Sequence, residues 1–286
     1  MKKKSKSNIF KYAIIFLFCL LVAYTCSCDS VLKKAESLST NIPFNYPGLR
    51  LETRYLKSSE IDKSNPKIIC FGDSVTFGWN LSYDCSYPFL LEQHLLTDYP
   101  DVMVINSGIG GNTVIDGLAR IKKDVLKYNP ELVILNFGLN DAMLGKKSKS
   151  APGGNDLYYK EGQFYFLPQI NIYDFEQAYR DIIDTLKEEN IDVLVLSMNP
   201  VLDNFPLDKD EDFSKKQKEI YQVYNKRIKE VAKEKDTDII DLWDVFIRKE
   251  NLQYYIQDDG LHPSEEGQCL ISDEVAGYIS GKDFFN

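Results

Sequence analysis

The 286-residue chain is 44% hydrophobic and carries a net charge of −9, enough apolar content for one substantial core and too acidic to favour nucleic acid or an anionic surface. The first 28 residues hold five lysines and no acid, so the remainder has 29 basic against 43 acidic residues, a net charge of −14 that suits neutral or cationic substrates. Beyond that stretch Cys70, Cys85 and Cys269 are odd in number and scattered, which implies no disulfide framework, and no CxxC or His/Cys cluster suggests a metal or other cofactor.

At the N-terminus Lys2, Lys3, Lys4, Lys6 and Lys11 precede an apolar stretch over residues 12–25. It is short for a membrane span and has the layout of a secretory signal, so residues 1–28 stand apart from the fold. Cys26 and Cys28 follow directly, as in a bacterial lipoprotein signal, with Cys28 after Ser27 or Cys26 after Thr25 as the lipidated residue. A simple cleaved signal and an uncleaved anchor are the alternatives. The expectation is an exported protein, secreted or held at the cell envelope, whose only membrane association is through this segment. Residues 29–66 read as an irregular arm or tether, and residues 67–286 as one catalytic domain.

The domain opens with Lys67-Ile68-Ile69-Cys70, an apolar run that breaks abruptly into Phe71-Gly72-Asp73-Ser74-Val75-Thr76-Phe77-Gly78. This pattern predicts a buried strand ending in a tight turn, with Ser74 emerging where open α/β sheets place their chemistry. An amphipathic helix over 87–96 and a strand over 102–106 follow. A glycine-rich block then leads into a helix on which Val114, Leu118, Ile121 and Val125 form one apolar face. The nearly all-apolar strand 132–136 is that of a parallel sheet covered on both faces. Further strands are expected over 193–196 and 238–241, and helices over 173–188, 214–233 and 265–278. The alternation predicts an α/β fold, a three-layer α/β/α sandwich around a mostly parallel five-stranded sheet. Two longer interruptions follow strand ends. Residues 145–169 read as a flexible loop feeding a hairpin around Glu161-Gly162 and could wall the site, and residues 199–213 read as a loop at the same edge.

A serine hydroxyl needs a base, a group that orients the base, and donors for the oxyanion it creates. Of the two histidines, His94 lies in the amphipathic helix and suits a packing or surface role. His262 lies in the turn-rich Asp258-Asp259-Gly260-Leu261-His262-Pro263 and suits presentation at a rim. Each turn also has a plain structural reading: Gly72-Asp73-Ser74 as an ordinary turn, Asn140 as a loop cap, His262-Pro263 as a helix start.

Four blocks in order nevertheless resemble those of the SGNH, or GDSL-type, hydrolases: Gly72-Asp73-Ser74, Asn106-Ser107-Gly108-Ile109-Gly110-Gly111-Asn112-Thr113, Gly138-Leu139-Asn140-Asp141 and Asp259-Gly260-Leu261-His262-Pro263. They span residues 67–276, and Val75 stands where the family name has Leu. The resemblance implies the SGNH, flavodoxin-like version of the predicted sandwich. It implies Ser74 as nucleophile and His262 as base, with Asp259, selected over Asp258 by the Asp-x-x-His spacing, as the orienting carboxylate. It implies an oxyanion hole from the backbone N–H groups of Ser74 and Gly111 and the side-chain amide of Asn140. Gly111 rather than Gly110 falls two residues before Thr113, as in the family block. Asp141 is expected to be structural, bonding backbone near the first turn.

The implied reaction is ester hydrolysis through an acyl-enzyme, without cofactor, on a small-molecule or glycan ester. Phe77, Trp79, Tyr158 and Tyr159 are candidate substrate-lining aromatics, equally able to pack the insertion. A lipase, lysophospholipase or thioesterase for longer acyl chains, an O-acyltransferase with the same residues, and a silent binding module are the alternatives.

Overall fold

A computed structural model describes residues 66–152 and 156–282. The expectations for the signal, Cys26, Cys28 and the arm lie outside them, apart from Pro66. The described residues belong to the second of two compact units, Pro47–Asn286.

Strand β1 (Lys67–Gly72) is buried along its whole length, as its apolar run requires. It pairs in parallel with β2 (Met103–Gly108) on one side and β3 (Leu132–Asn136) on the other. Gly72 is level with Gly108 and with Asn136, so three strands end together at one edge. Strands β7 (Asp192–Leu196) and β8 (Asp238–Ile240) extend the sheet beyond β3, giving the order β2-β1-β3-β7-β8 with every pairing parallel. The chain therefore leaves β1 in one direction and returns past it in the other, and the reversal point beside β1 is where such sheets open a crevice.

Right-handed crossovers send helices to opposite faces when the direction of winding reverses. Helix α2 (Tyr87–Leu95) packs against the C-terminal α9 (Glu265–Ser280). Helix α3 (Val114–Asp124) packs on α5 (Ile172–Glu188), and α5 on α6 (Glu211–Glu234). The sheet with these two helix sets is a three-layer α/β/α sandwich. Helix α6 begins three residues earlier than the apolar periodicity indicates, because the Asp210 side chain caps it by accepting from the Phe213 N–H.

The insertion after β3 is more ordered than a loop with a hairpin. The hairpin exists, as β5 (Tyr159–Glu161) and β6 (Phe164–Pro168) around Gly162, whose φ of 57° favours glycine. The preceding lysine-rich segment is also a strand, β4 (Leu144–Ser148), antiparallel to β6. The Lys147 ammonium lies 4.0 Å from the Phe164 ring centre, so an aromatic face compensates for apolar alternation that β4 lacks.

Candidate active site

Strand β1 gives way to a one-turn helix, α1 (Ser74–Phe77), with Asp73 as its cap: the Asp73 carboxylate accepts from the Val75 N–H at 2.9 Å. Only glycine fits just before it, since a Cβ at Gly72 would lie 2.4 Å from the Asn136 carbonyl oxygen. As first residue of α1, Ser74 has a backbone N–H with no intrahelical acceptor. Gln268 on α9 holds the turn from behind, donating to the Val75 carbonyl (3.0 Å) and accepting from the Tyr87 N–H (2.8 Å).

The loop before α9 brings His262 to Ser74. Ser74 Oγ is 2.8 Å from His262 Nε2, and His262 Nδ1 is 2.6 Å from Asp259 Oδ2. The other Asp259 oxygen accepts from the backbone N–H of Leu261 (2.9 Å) and His262 (3.0 Å). Partial burial raises the Asp259 pKa, but these hydrogen bonds from His262 and Leu261 outweigh it and hold the carboxyl below its ordinary value.

Two supports of this loop carry no motif. Gln257 donates to the carbonyls of Trp79 (2.9 Å) and Pro263 (2.8 Å), tying it to the segment after α1. The buried Asn199, at the start of the segment following β7, donates to the Leu261 carbonyl (3.0 Å), and the Leu202 N–H donates to the Gly260 carbonyl (2.9 Å). The 199–213 interruption thus begins as a brace for the aspartate–histidine loop. Isolated amides give no periodic signal, so only the folded chain reveals them.

Beyond β2 a turn closes from the Asn112 N–H to the Ile109 carbonyl, with Gly111 at φ 80° and exposed. Asn140, on the one-turn helix α4 (Leu139–Ala142), donates to the Asn112 carbonyl (2.9 Å) and to Asp73 Oδ2 (3.4 Å). Asn140 therefore bridges the ends of all three central strands. Asp73 is fully buried, and desolvation pushes its pKa up to about 6 against the opposing Val75 hydrogen bond and the charges of His262 and Arg120.

Asp141 is structural, with a different partner from that expected: its carboxylate accepts from the Val114 N–H at 3.0 and 3.2 Å, at the head of α3 rather than near the first turn. An anion belongs at a helix N-terminus. Burial nevertheless pushes its pKa up to about 8, with a smaller contribution from the charge of Asp73.

Trp79 lies beside this cluster, its ring centre 6.0 Å from that of His262 and 6.5 Å from that of Phe77. A Cβ at Gly110 would meet the Trp79 ring at 3.2 Å, so the indole stands between the histidine and the glycine turn. Tyr159 packs edge-on against Phe213 (4.9 Å) and Tyr158 against Tyr165 (5.4 Å), contacts that hold the insertion to itself and to α6. His94 lies on α2, half exposed and 3.7 Å from Asp273.

The arrangement has the parts for acyl transfer: a hydroxyl on an imidazole, an ionised carboxylate behind it, and amide donors at neighbouring strand ends. The class is shown by sequence comparison: the chain belongs to the GDSL-like Lipase/Acylhydrolase family, whose model matches residues 70–270, and ester hydrolysis is the activity this membership supports. Among its relatives is an arylesterase of Vibrio mimicus, 26% identical over 220 residues that cover 76% of this chain and 90% of that one. A thioesterase 1/protease 1/lysophospholipase L1 of Escherichia coli K12 is 26% identical over 211 residues, covering 73% and 81%. The crystal structure of a lipase/acylhydrolase from Enterococcus faecalis superposes with a TM-score of 0.59 at 24% identity, over 76% of this chain and 96% of that one, and shares the fold.

Proposed function

We propose that the protein is a serine esterase acting through an acyl-enzyme on Ser74. His262 Nε2 takes the Ser74 proton as Oγ attacks the ester carbonyl, then gives it to the leaving alcohol; water repeats the sequence to release the acid. Asp259 holds the imidazole by Nδ1 and balances the imidazolium. The Ser74 and Gly111 N–H groups receive the oxyanion, joined by the Asn140 amide as it gives up its long 3.4 Å contact to Asp73. The Gly111 N–H has no acceptor within the described residues, consistent with such a role. The observation that carries the proposal is the unbroken chain from Asp259 Oδ2 through His262 to Ser74 Oγ.

The substrate we favour is a small acyl ester, most simply an acetyl group, on a carbohydrate or another compound outside the cell. The bulk of Trp79 beside His262 and Gly110 limits the space there, and indole and phenyl faces suit a sugar ring. The acidic domain suits a neutral or cationic substrate. Export as a secreted or envelope lipoprotein, lipidated at Cys28 or Cys26, belongs to the same proposal. No helix among the described residues is long and apolar enough to cross a membrane. The Escherichia coli relative, named a thioesterase and lysophospholipase, favours a second reading with longer acyl chains.

p-Nitrophenyl esters from acetyl to palmitoyl, run on wild type and Ser74→Ala, test both readings. Ser74-dependent hydrolysis that falls with chain length is expected. A maximum at long chains selects the second reading, and hydrolysis retained in Ser74→Ala overturns the mechanism.

A further inference from the structure

Arg120 on α3 lies outside the four motif blocks, yet its guanidinium joins the segments that carry the backbone donors. Nη2 donates to the carbonyl of Gly72 (2.8 Å), two residues before Ser74, and Nε donates to Oδ1 of Asn112 (2.8 Å), the residue after Gly111. Nη1 donates to Oγ of Ser107 (3.2 Å), near the end of β2, and to Oδ2 of Asp124 (3.2 Å). The group lies 4.4 Å from the Phe71 ring centre and 5.8 Å from that of Phe137. The Arg120 side chain is only 12% exposed and that of Asp124 1%. A cation placed this deeply requires a partner, which Asp124 supplies.

We propose that Arg120 is a positioning residue for the oxyanion hole, fixing the separation between the Ser74 turn and the Gly111-Asn112 turn so that both N–H groups face one carbonyl oxygen. This deepens the esterase reading and rests on it. Asn112 is the relay: its side chain is held by Arg120 and its carbonyl by the Asn140 amide at 2.9 Å. One guanidinium therefore bears on all three donors through their neighbours: on Ser74 through Gly72, and on Gly111 and Asn140 through Asn112.

The chemistry requires arginine. Its acceptors lie in separate directions around a rigid planar fork, and the Phe71 ring covers one face of that plane, so position and orientation are both fixed. A lysine ammonium could neutralise Asp124 without holding Gly72 and Asn112 together. Oxyanion donors work because they are aligned before charge develops.

The test uses the full chain as wild type, Arg120→Lys, Asn112→Ala and the double variant. Each is assayed on p-nitrophenyl acetate, melted, and titrated with a trifluoromethyl ketone, whose adduct with Ser74 places an oxyanion in the hole. Arg120→Lys is expected to lower kcat by about 100-fold with KM little changed, the effect of a displacement of about 1 Å. The ketone Ki should rise by the same factor, and the loss should shrink in the Asn112→Ala background, as for residues acting in series. Wild-type kcat and Ki in Arg120→Lys, a lowered kcat with unchanged Ki, or an equal loss in both backgrounds overturns the proposal. Should Arg120→Lys not fold, Asn112→Ala serves alone, and unchanged ketone affinity there overturns it. A wild type without Ser74-dependent hydrolysis overturns the esterase reading and this proposal with it, whereas an active wild type and an unaffected Arg120→Lys overturn this proposal alone.

Discussion

The protein contains two sheets that do different work. In the five-stranded parallel sheet β1 and β3 are buried at every position, and polar groups appear where the strands stop, at Asp73, Ser74, Asn112 and Asn140. In the three-stranded insertion sheet most positions are half-buried or exposed, and Tyr159 and Phe166 grip Phe213 at 4.9 and 5.5 Å. The edge of the first sheet carries the Ser74 hydroxyl and the amides, and the loop before α9 brings the imidazole to it; the second sheet packs on α6 through Phe213. Chemistry should therefore be lost by edits at the parallel sheet edge that leave stability intact, and stability by edits to the insertion that leave chemistry intact.

The sharpest break in that contrast is Ser74→Ala, expected to lower kcat by a factor on the order of 10⁶ at unchanged melting temperature. Asp259→Asn should follow at about 10⁴-fold, because an amide cannot both orient the imidazole and balance its positive charge; steady-state rates with circular dichroism check both. Asn140→Ala should cost about 10²- to 10³-fold in kcat, with some loss of stability because the bond to the Asn112 carbonyl disappears. Phe213→Ala reverses the pattern: the buried ring anchors the insertion, so a loss of about 3–5 kcal/mol in denaturant unfolding is expected, with kcat on an acetyl ester retained.

The smallest effect on turnover is expected at Asp141. Its folded pKa stands at about 8 against an ordinary 3.8, so between those values the folded state binds the extra proton, and stability declines as pH rises through the window. Asp141→Asn keeps an acceptor for the Val114 N–H and removes the charge. Its melting temperature should vary less between about pH 4 and 8 than that of wild type and be higher at pH 8. A variant as steep as wild type would show that the dependence originates elsewhere, with Asp73, whose pKa is pushed up to about 6, the next group to test.

Much of the scaffold could be read in advance because buried parallel strands are continuous apolar runs and their helices keep a 3.6-residue period. The turns were legible for a different reason, since glycine marks a backbone that no other residue can follow: a Cβ at Gly108 would lie 2.2 Å from the Phe77 nitrogen. Strand β4 was hidden because its lysines neither alternate nor cluster with apolar residues. Arg120, Asn199, Gln257 and Gln268 were hidden more completely. Each is a polar residue whose role is a hydrogen bond to a distant segment, over 48 residues from Arg120 to Gly72 and 193 from Gln268 to Val75. No local pattern encodes such pairings.

The proposed mechanism places the acyl group on one alcohol, that of Ser74. Rapid quench of the enzyme with p-nitrophenyl acetate, followed by peptide mass spectrometry, tests it most directly. One acetyl group per active molecule is expected, on the peptide containing Ser74 and absent from Ser74→Ala. An acetyl group on another residue that turns over at the rate of catalysis would contradict it.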